Sequence, residues 1–393
     1  RGVVTVDQLR QLLDAHADQL WGQRVANLRM QTGLDGGDQT LPDLNKQDIS
    51  RTAYRAVFTA HPVFALRPDV SAQMAEHADA GKGAPPPDAF APRDAVTLYE
   101  EHAEAMQALQ NARTAVNDIN ADILRQRRAA HPQGWRDVLP ETVGVSTWVG
   151  YDLDGRSDIS WQDSFRLRLR EKRDALTVYY QTIMDSGLVA SSDAMADIAA
   201  RLTEELTRTM AHIQSFDIGD AKADATADSG DVVAAMNALT CAPGRLISSR
   251  ALATEIHDIA RSLPDDNMAL AALVIASDIA THGFGMGEVH LRINAAQIRN
   301  AMRPVDGRAI SVSANSASEG VRSPRMLIDK LANRIRTEEA WEINFANLDS
   351  ETATARRQLM LATQILKHID SDQPIRLLIA ECERPLTIMS ALY

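Results

Sequence analysis

Apolar residues recur every three to four positions along most of the chain, a spacing that predicts a protein built mainly from helices. Thr5 and Gln8 have the spacing of a capping box ahead of Leu9, Leu12, Leu13, His16 and Leu20. A second helix is predicted from about Arg93 to Ala130, after the breaker Gly-Ala-Pro-Pro-Pro at 83–87. A third runs from about Asp158, placed to cap it, to about Asp185. Further helical spacing covers about 191–215, 233–262, 266–281, 323–340 and 350–370. Four short runs rich in Val, Ile and Thr interrupt this pattern: Ala56–Ala60, Val143–Val149, Val289–Ile293 and Ile375–Ala380. Long helical stretches separate them, which favours parallel strands over hairpins. Phe216–Asp231 (acidic, rich in Ala, Asp and Gly) and Arg308–Pro324 (rich in Ser and Ala) are predicted surface loops.

Each predicted strand runs into polar or reactive residues. The first leads to His61, the second to Trp148, Asp152 and Asp154, the third carries His290 and Arg292, and the fourth ends at Glu381. In parallel α/β barrels the active site lies at the carboxyl ends of the strands. Strand ends are also exposed and polar for ordinary reasons. His61 stands between an apolar strand and Pro62, which disfavours helical backbone at the histidine. Its imidazole suits general acid–base work near neutral pH, though a lone His-Pro also occurs in plain turns. In Glu288–Ile293 the residues Val289, Leu291 and Ile293 fall on one strand face, and Glu288, His290 and Arg292 on the other. A buried Arg292 would need an anion: a ligand or a structural Glu partner.

Composition narrows the choices. The chain has 393 residues, 45% of them hydrophobic and 5% aromatic, which suits helices and a large core. A net charge of -12 opposes binding to nucleic acid. The densest basic run, Arg166, Arg168, Arg170, Lys172 and Arg173, is expected on a solvated helix face. Cys241 and Cys382 form neither a disulfide framework nor a zinc motif, which points to the cytoplasm. The longest apolar stretch, Met268 to Ala276, is too short to span a bilayer, so no membrane association is expected. Asp152-Leu153-Asp154-Gly155 lacks the glycine position and terminal Glu of a calcium loop. The glycines of Gly283–Gly287 precede a strand, whereas those of a dinucleotide fingerprint follow one.

Three segments together resemble the phosphoenolpyruvate carboxylase family. Thr59-Ala60-His61-Pro62 matches its Thr-Ala-His-Pro motif. Trp148-Val149-Gly150-Tyr151-Asp152-Leu153-Asp154-Gly155-Arg156-Ser157 is similar to its Trp-x-Gly-Gly-Asp-Arg-Asp-Gly-Asn-Pro motif. Phe284-Gly285, leading to Val289-His290-Leu291-Arg292-Ile293, is similar to its Phe-Gly stretch and Leu-Asp-Ile-Arg-Gln strand. The order and wide spacing agree. The chain departs from the family at Val63-Phe64 (family Thr-Glu), Leu153 (Arg) and Arg156-Ser157 (Asn-Pro), as a divergent bacterial-type member or a degenerate paralogue would.

The resemblance implies a mainly α-helical α/β protein in which an incomplete (β/α)8 TIM-type barrel is surrounded by many helices. It implies that residues 1–393 form a single N-terminal fragment, because family members run to more than twice this length. It implies Mg2+-dependent addition of bicarbonate to phosphoenolpyruvate, through carboxyphosphate and an enolate, giving oxaloacetate and phosphate. His61 matches the catalytic histidine, Arg292 an arginine that binds the substrate phosphate, and Trp148 a tryptophan near the carbon dioxide pocket. Asp152 and Asp154 belong to the same substrate-binding motif. The Mg2+ carboxylates, catalytic lysine and Gly-Arg-Gly-Gly loop are expected beyond Tyr393, so the chain alone is expected to be inactive. The expected partners are phosphoenolpyruvate, bicarbonate, the remaining C-terminal part, and further copies in a homo-oligomer. The alternative is a non-catalytic paralogue or helical scaffold that keeps the fold without the chemistry.

Overall fold

The computed structural model describes residues 15, 18–19, 21–26, 29, 49–50, 52, 54–59, 67–81, 83–86, 96–154, 159–220, 239–240, 244–302, 324–337, 343–373 and 375–393. His61, the Thr5–Gln8 capping box, Asp158 and most of the two expected loops lie outside the described residues. Two compact units emerge: Arg1–Asp43 with Thr59–Glu101, and Leu44–Phe58 with His102–Tyr393.

In the first unit, helix α1 (Pro68–Ala80) opens with proline in its first turn, where the missing N–H costs nothing. Apolar spacing alone had not revealed it. Val70, Met74 and Ala78 pack with Trp21 and Val25. Gly81 ends the helix in the left-handed region, at φ 69°. Arg29 Nη1 donates to the carbonyl of Ala78 at 2.6 Å, satisfying an end group of the helix.

The second unit holds four strands: β1 (Tyr54–Phe58), β2 (Val143–Thr147), β3 (Glu288–Asn294) and β4 (Ile375–Ala380). All pairings are parallel, and spatial order equals chain order. Among the described residues the helices are α2 (Leu98–Ala130), α3 (Trp161–Asp185), α4 (Leu188–Ser191), α5 (Asp193–Asp220), α6 (Ser249–Ser262), α7 (Asp266–His282), α8 (Ala295–Ala301), α9 (Pro324–Thr337), α10 (Phe345–Ser350), α11 (Thr354–His368) and α12 (Pro385–Leu392). The protein is thus mainly helical around a small all-parallel sheet. No described helix is long and apolar enough to cross a membrane.

Register fixes which side chains share a face. Val145, Val289 and Leu291 are buried on one side. There Val289 and Leu291 join Phe165 and Leu169 of α3 and Leu361 and Ile365 of α11. Ile293 packs instead with Ile298, Ala301 and Ala355. The opposite side carries Arg55 and Val57 of β1, Ser146 of β2, Glu288, His290 and Arg292 of β3, and Arg376 and Leu378 of β4.

Several expectations are corrected. Ser160 caps α3 in a reciprocal box with Asp163, so the helix starts later than a cap at Asp158 would allow. The predicted 233–262 helix is broken: residues 244–248 are non-helical, Gly244 has φ 69°, and α6 is capped by Ser248. Backbone helix continues to Asp220, inside the expected acidic loop.

The basic run of α3 is not a solvated face. Arg168 is 0% and Lys172 1% exposed, and Arg166 is also buried. Each of the first two has a carboxylate partner: Glu171 beside Arg168, and Glu205 Oε1 at 2.7 Å from Lys172 Nζ. Sequence charge counting could not see Glu205 arriving from α5. His102 Nε2 and Tyr151 Oη meet Glu171 Oε1 at 2.9 and 2.8 Å. Burial alone would raise the Glu171 pKa, but Arg168, His102 and Tyr151 together hold it below the ordinary value.

Candidate functional site

The segment after β2 leaves the ladder and rejoins it. Tyr151 N–H donates to the Trp148 carbonyl at 2.8 Å, closing a turn in which Gly150 has φ 90°. Asp152 then bridges to Arg292 of β3 in parallel register. The Arg292 N–H donates to the Tyr151 carbonyl at 3.2 Å, and the Leu153 N–H to the Arg292 carbonyl at 3.1 Å. Ser164 Oγ of α3 holds the Gly150 carbonyl at 2.7 Å, and Gln297 of α8 holds that of Leu153 at 2.8 Å. Strand, turn and two helices therefore fix the segment from Trp148 to Asp154.

This arrangement gathers four of the sequence-predicted residues. Arg292 Nη1 donates to Asp152 Oδ2 at 2.7 Å, and Arg292 Nη2 lies 3.6 Å from Asp154 Oδ2. The guanidinium carbon stands 4.7 Å from the centre of the Trp148 ring, a cation–π contact. Asn294 reaches Asp154 at 3.3 Å, and the Asp154 N–H caps Asp152 Oδ1 at 3.1 Å. Burial raises the Asp152 pKa above the ordinary carboxylate value, against the Asp154 N–H and Arg292, which lower it. Arg292 is half-buried and keeps N–H donors that Asp152 does not use. Such a group can hold a ligand oxygen or remain an internal ion pair. Its partner is a pair of aspartates, not the structural glutamate weighed from sequence. Glu381, the fourth expected rim residue, follows β4 with φ 55° and is exposed.

Sequence reasoning overlooked a second cluster on the same sheet face. Glu288 is buried and accepts from Arg55 Nε of β1 and Arg376 Nε of β4, each at 2.8 Å to Oε2. Each arginine is the single charged residue of its strand, which was the available signal. His290, between Glu288 and Arg292, is buried.

The glycine run before β3 owes its composition to close packing. An alanine Cβ at Gly287 would lie 2.7 Å from the Val145 carbonyl oxygen, and one at Gly285 would overlap the Arg168 guanidinium. Arg113 Nη1 donates to the Gly285 carbonyl at 3.2 Å, while its Nη2 pairs with Asp278 at 2.8 Å. Phe284 N–H donates to Asp370 Oδ2 at 2.7 Å.

Among the described residues no group of three or more His, Cys, Asp or Glu side chains is arranged to hold a metal ion. No protein-family model matches the chain, and no curated protein matches it in sequence.

Proposed function

We propose that this chain forms part of an enzyme that adds bicarbonate to phosphoenolpyruvate to give oxaloacetate and phosphate, its sheet being one portion of an incomplete (β/α)8 barrel. Three motif resemblances support the reading, and one observation carries it. Trp148, Asp152 and Asp154 from one motif meet Arg292 from another at the carboxyl ends of adjacent parallel strands. Active sites of parallel barrels sit at such ends. In this reading the spare N–H groups of Arg292 hold the substrate phosphate, for which a planar fork is suited. The ring of Trp148 lines an apolar place for carbon dioxide, and His61 moves the proton. Mg2+ belongs to the proposal with ligands outside this chain, and the roles given to Arg292, Trp148 and His61 do not run through it. The remaining part of the enzyme and further copies of the chain are the proposed partners, in the cytoplasm.

The contact between Arg292 and Asp152 favours a second reading, a scaffold in which the arginine is already neutralised. Calorimetric titration with phosphoenolpyruvate separates the two. The enzyme reading expects saturable binding, weakened roughly ten- to a hundredfold by Arg292→Lys, the equivalent of one charge-assisted hydrogen bond. The scaffold reading expects no binding and a lowered melting temperature. In a form that makes oxaloacetate, His61→Asn should cut turnover by at least about a hundredfold. Undiminished turnover would remove His61 from the chemistry.

A further inference from the structure

The Arg292 guanidinium faces more negative charge than it can balance. Asp152 Oδ2 lies 2.7 Å from its Nη1 and Asp154 Oδ2 lies 3.6 Å from its Nη2, so one cation stands between two carboxylates. Among the described residues the other neighbours of this group are uncharged. The Trp148 ring covers the guanidinium at 4.7 Å, α8 presents Asn294 and Gln297, and α3 presents Ser164. His290, the next residue on that face of β3, is kept neutral by burial, which lowers its pKa. The charges beyond it, Glu288 with Arg55 and Arg376, form their own cluster. An anion added at Arg292 therefore meets an excess of negative charge at close range, in a half-buried place where water screens it poorly.

Asp152 is the group placed to relieve that excess. Its side chain is 18% exposed against 24% for Asp154, and it alone stands within hydrogen-bond distance of the guanidinium. Burial raises its pKa, the Asp154 N–H and Arg292 pull the other way, and the Asp154 charge adds to burial. The ionised carboxylate thus leans on two donors: Arg292 Nη1 at Oδ2, and the Asp154 N–H at Oδ1, 3.1 Å away. An anion that draws Arg292 to itself removes the first donor and adds repulsion. Both changes favour the protonated carboxyl.

We propose that Asp152 is a proton-operated gate on Arg292: ionised, it holds the guanidinium against an incoming anion, and binding of the anion is coupled to uptake of one proton from solvent at Asp152. The inference rests on the reading that Arg292 takes an anion, and adds how that site is regulated. Coupling is reciprocal, so a proton that the anion favours must itself favour the anion. Affinity is then greatest at low pH, where Asp152 is protonated with or without ligand. It declines as pH rises from the free-state pKa of Asp152 to the higher pKa of the bound state.

The test titrates the purified chain with sulfate by calorimetry between about pH 5 and pH 8. Sulfate keeps the same charge throughout, so any proton taken up belongs to the protein. Repeating the titration in buffers of different ionisation heat counts the protons. Affinity should fall at least about tenfold across the range, the equivalent of a tenfold difference in the proton affinity of Asp152 between bound and free states. Proton uptake should accompany the decline. Asp152→Asn, a neutral side chain of the same shape that stands for the protonated form, should bind at the tighter limit at every pH without proton uptake. Carbon NMR of the Asp152 carboxyl reads the same protonation in the unaltered chain, and its titration midpoint should rise when sulfate is present. A pH-independent affinity, a midpoint that sulfate leaves unmoved, proton uptake that persists in Asp152→Asn, or sulfate binding to neither chain would each overturn the proposal. Sulfate binding with proton uptake, beside phosphoenolpyruvate that does not bind, would keep the gate and remove the enzyme reading. Phosphoenolpyruvate binding beside pH-independent sulfate binding would do the reverse.

Discussion

Replacing Glu171 with leucine should destabilise the protein more than any substitution on its surface. The carboxylate is fully buried and receives Arg168, Tyr151 Oη at 2.8 Å and His102 Nε2 at 2.9 Å. Glu171→Leu leaves the Arg168 guanidinium buried without its carboxylate partner, beside the side-chain oxygen of Gln373. Breaking a buried ion pair from one side costs about 3–5 kcal/mol. The Tyr151 hydroxyl loses its acceptor as well, at a further cost of about 1 kcal/mol or more. A total near 4–6 kcal/mol would consume much of the roughly 5–15 kcal/mol that holds a typical domain. Urea unfolding followed by circular dichroism measures it. The double variant Arg168→Met/Glu171→Leu removes both charges and should recover at least about 2 kcal/mol relative to Glu171→Leu. A Glu171→Leu cost below about 1 kcal/mol, or strict additivity in the double variant, would show that the network does not support the fold.

Two further outcomes are expected. Gly287→Ala places a methyl group 2.7 Å from a backbone oxygen that cannot swing away, so it should cost about 1–3 kcal/mol in the same urea assay, whereas an unchanged midpoint would mean the strands separate freely. His368 is held down to about 4 by burial first and Arg245 second, and His212 likewise to about 4. The folded state keeps both neutral while the unfolded chain takes up protons near 6.5. Their stabilisation is therefore full above that value and is lost as pH falls towards about 4. Urea midpoints should decline between these limits, with a shallower slope in His368→Gln.

The strands were legible because Val, Ile and Thr runs stand out between helical periods. Ile375–Ala380 was placed to the residue, and the other three to within two residues. Parallel order followed from the long helical separations alone. Partnership was not legible. Arg166, Arg168 and Lys172 look like solvent residues until Glu205 and Gln373 arrive from distant elements, since buried charge is readable only once its partner is known. The same holds at the candidate site. Alternation placed Arg292 and Glu288 on one face, but only the register shows Arg292 turning to Asp152 while Glu288 serves Arg55 and Arg376. The α1 helix was missed because its apolar positions are few, and its proline start was the remaining cue.

The sheet order has a kinetic consequence. Each strand pairs with one far away in sequence: Val143 opposite Tyr54, Glu288 opposite Ser146, Ile375 opposite Val289. Helices close their own contacts within a turn, whereas each of these pairings must first close a loop whose entropy opposes it. Refolding should therefore show helical signal first and sheet assembly later and more slowly. The contact of Asp152 with Arg292 forms only after β2 and β3 have found each other. Its appearance would mark the late step, so a chain halted before that step would carry nearly all its helices and none of its candidate site.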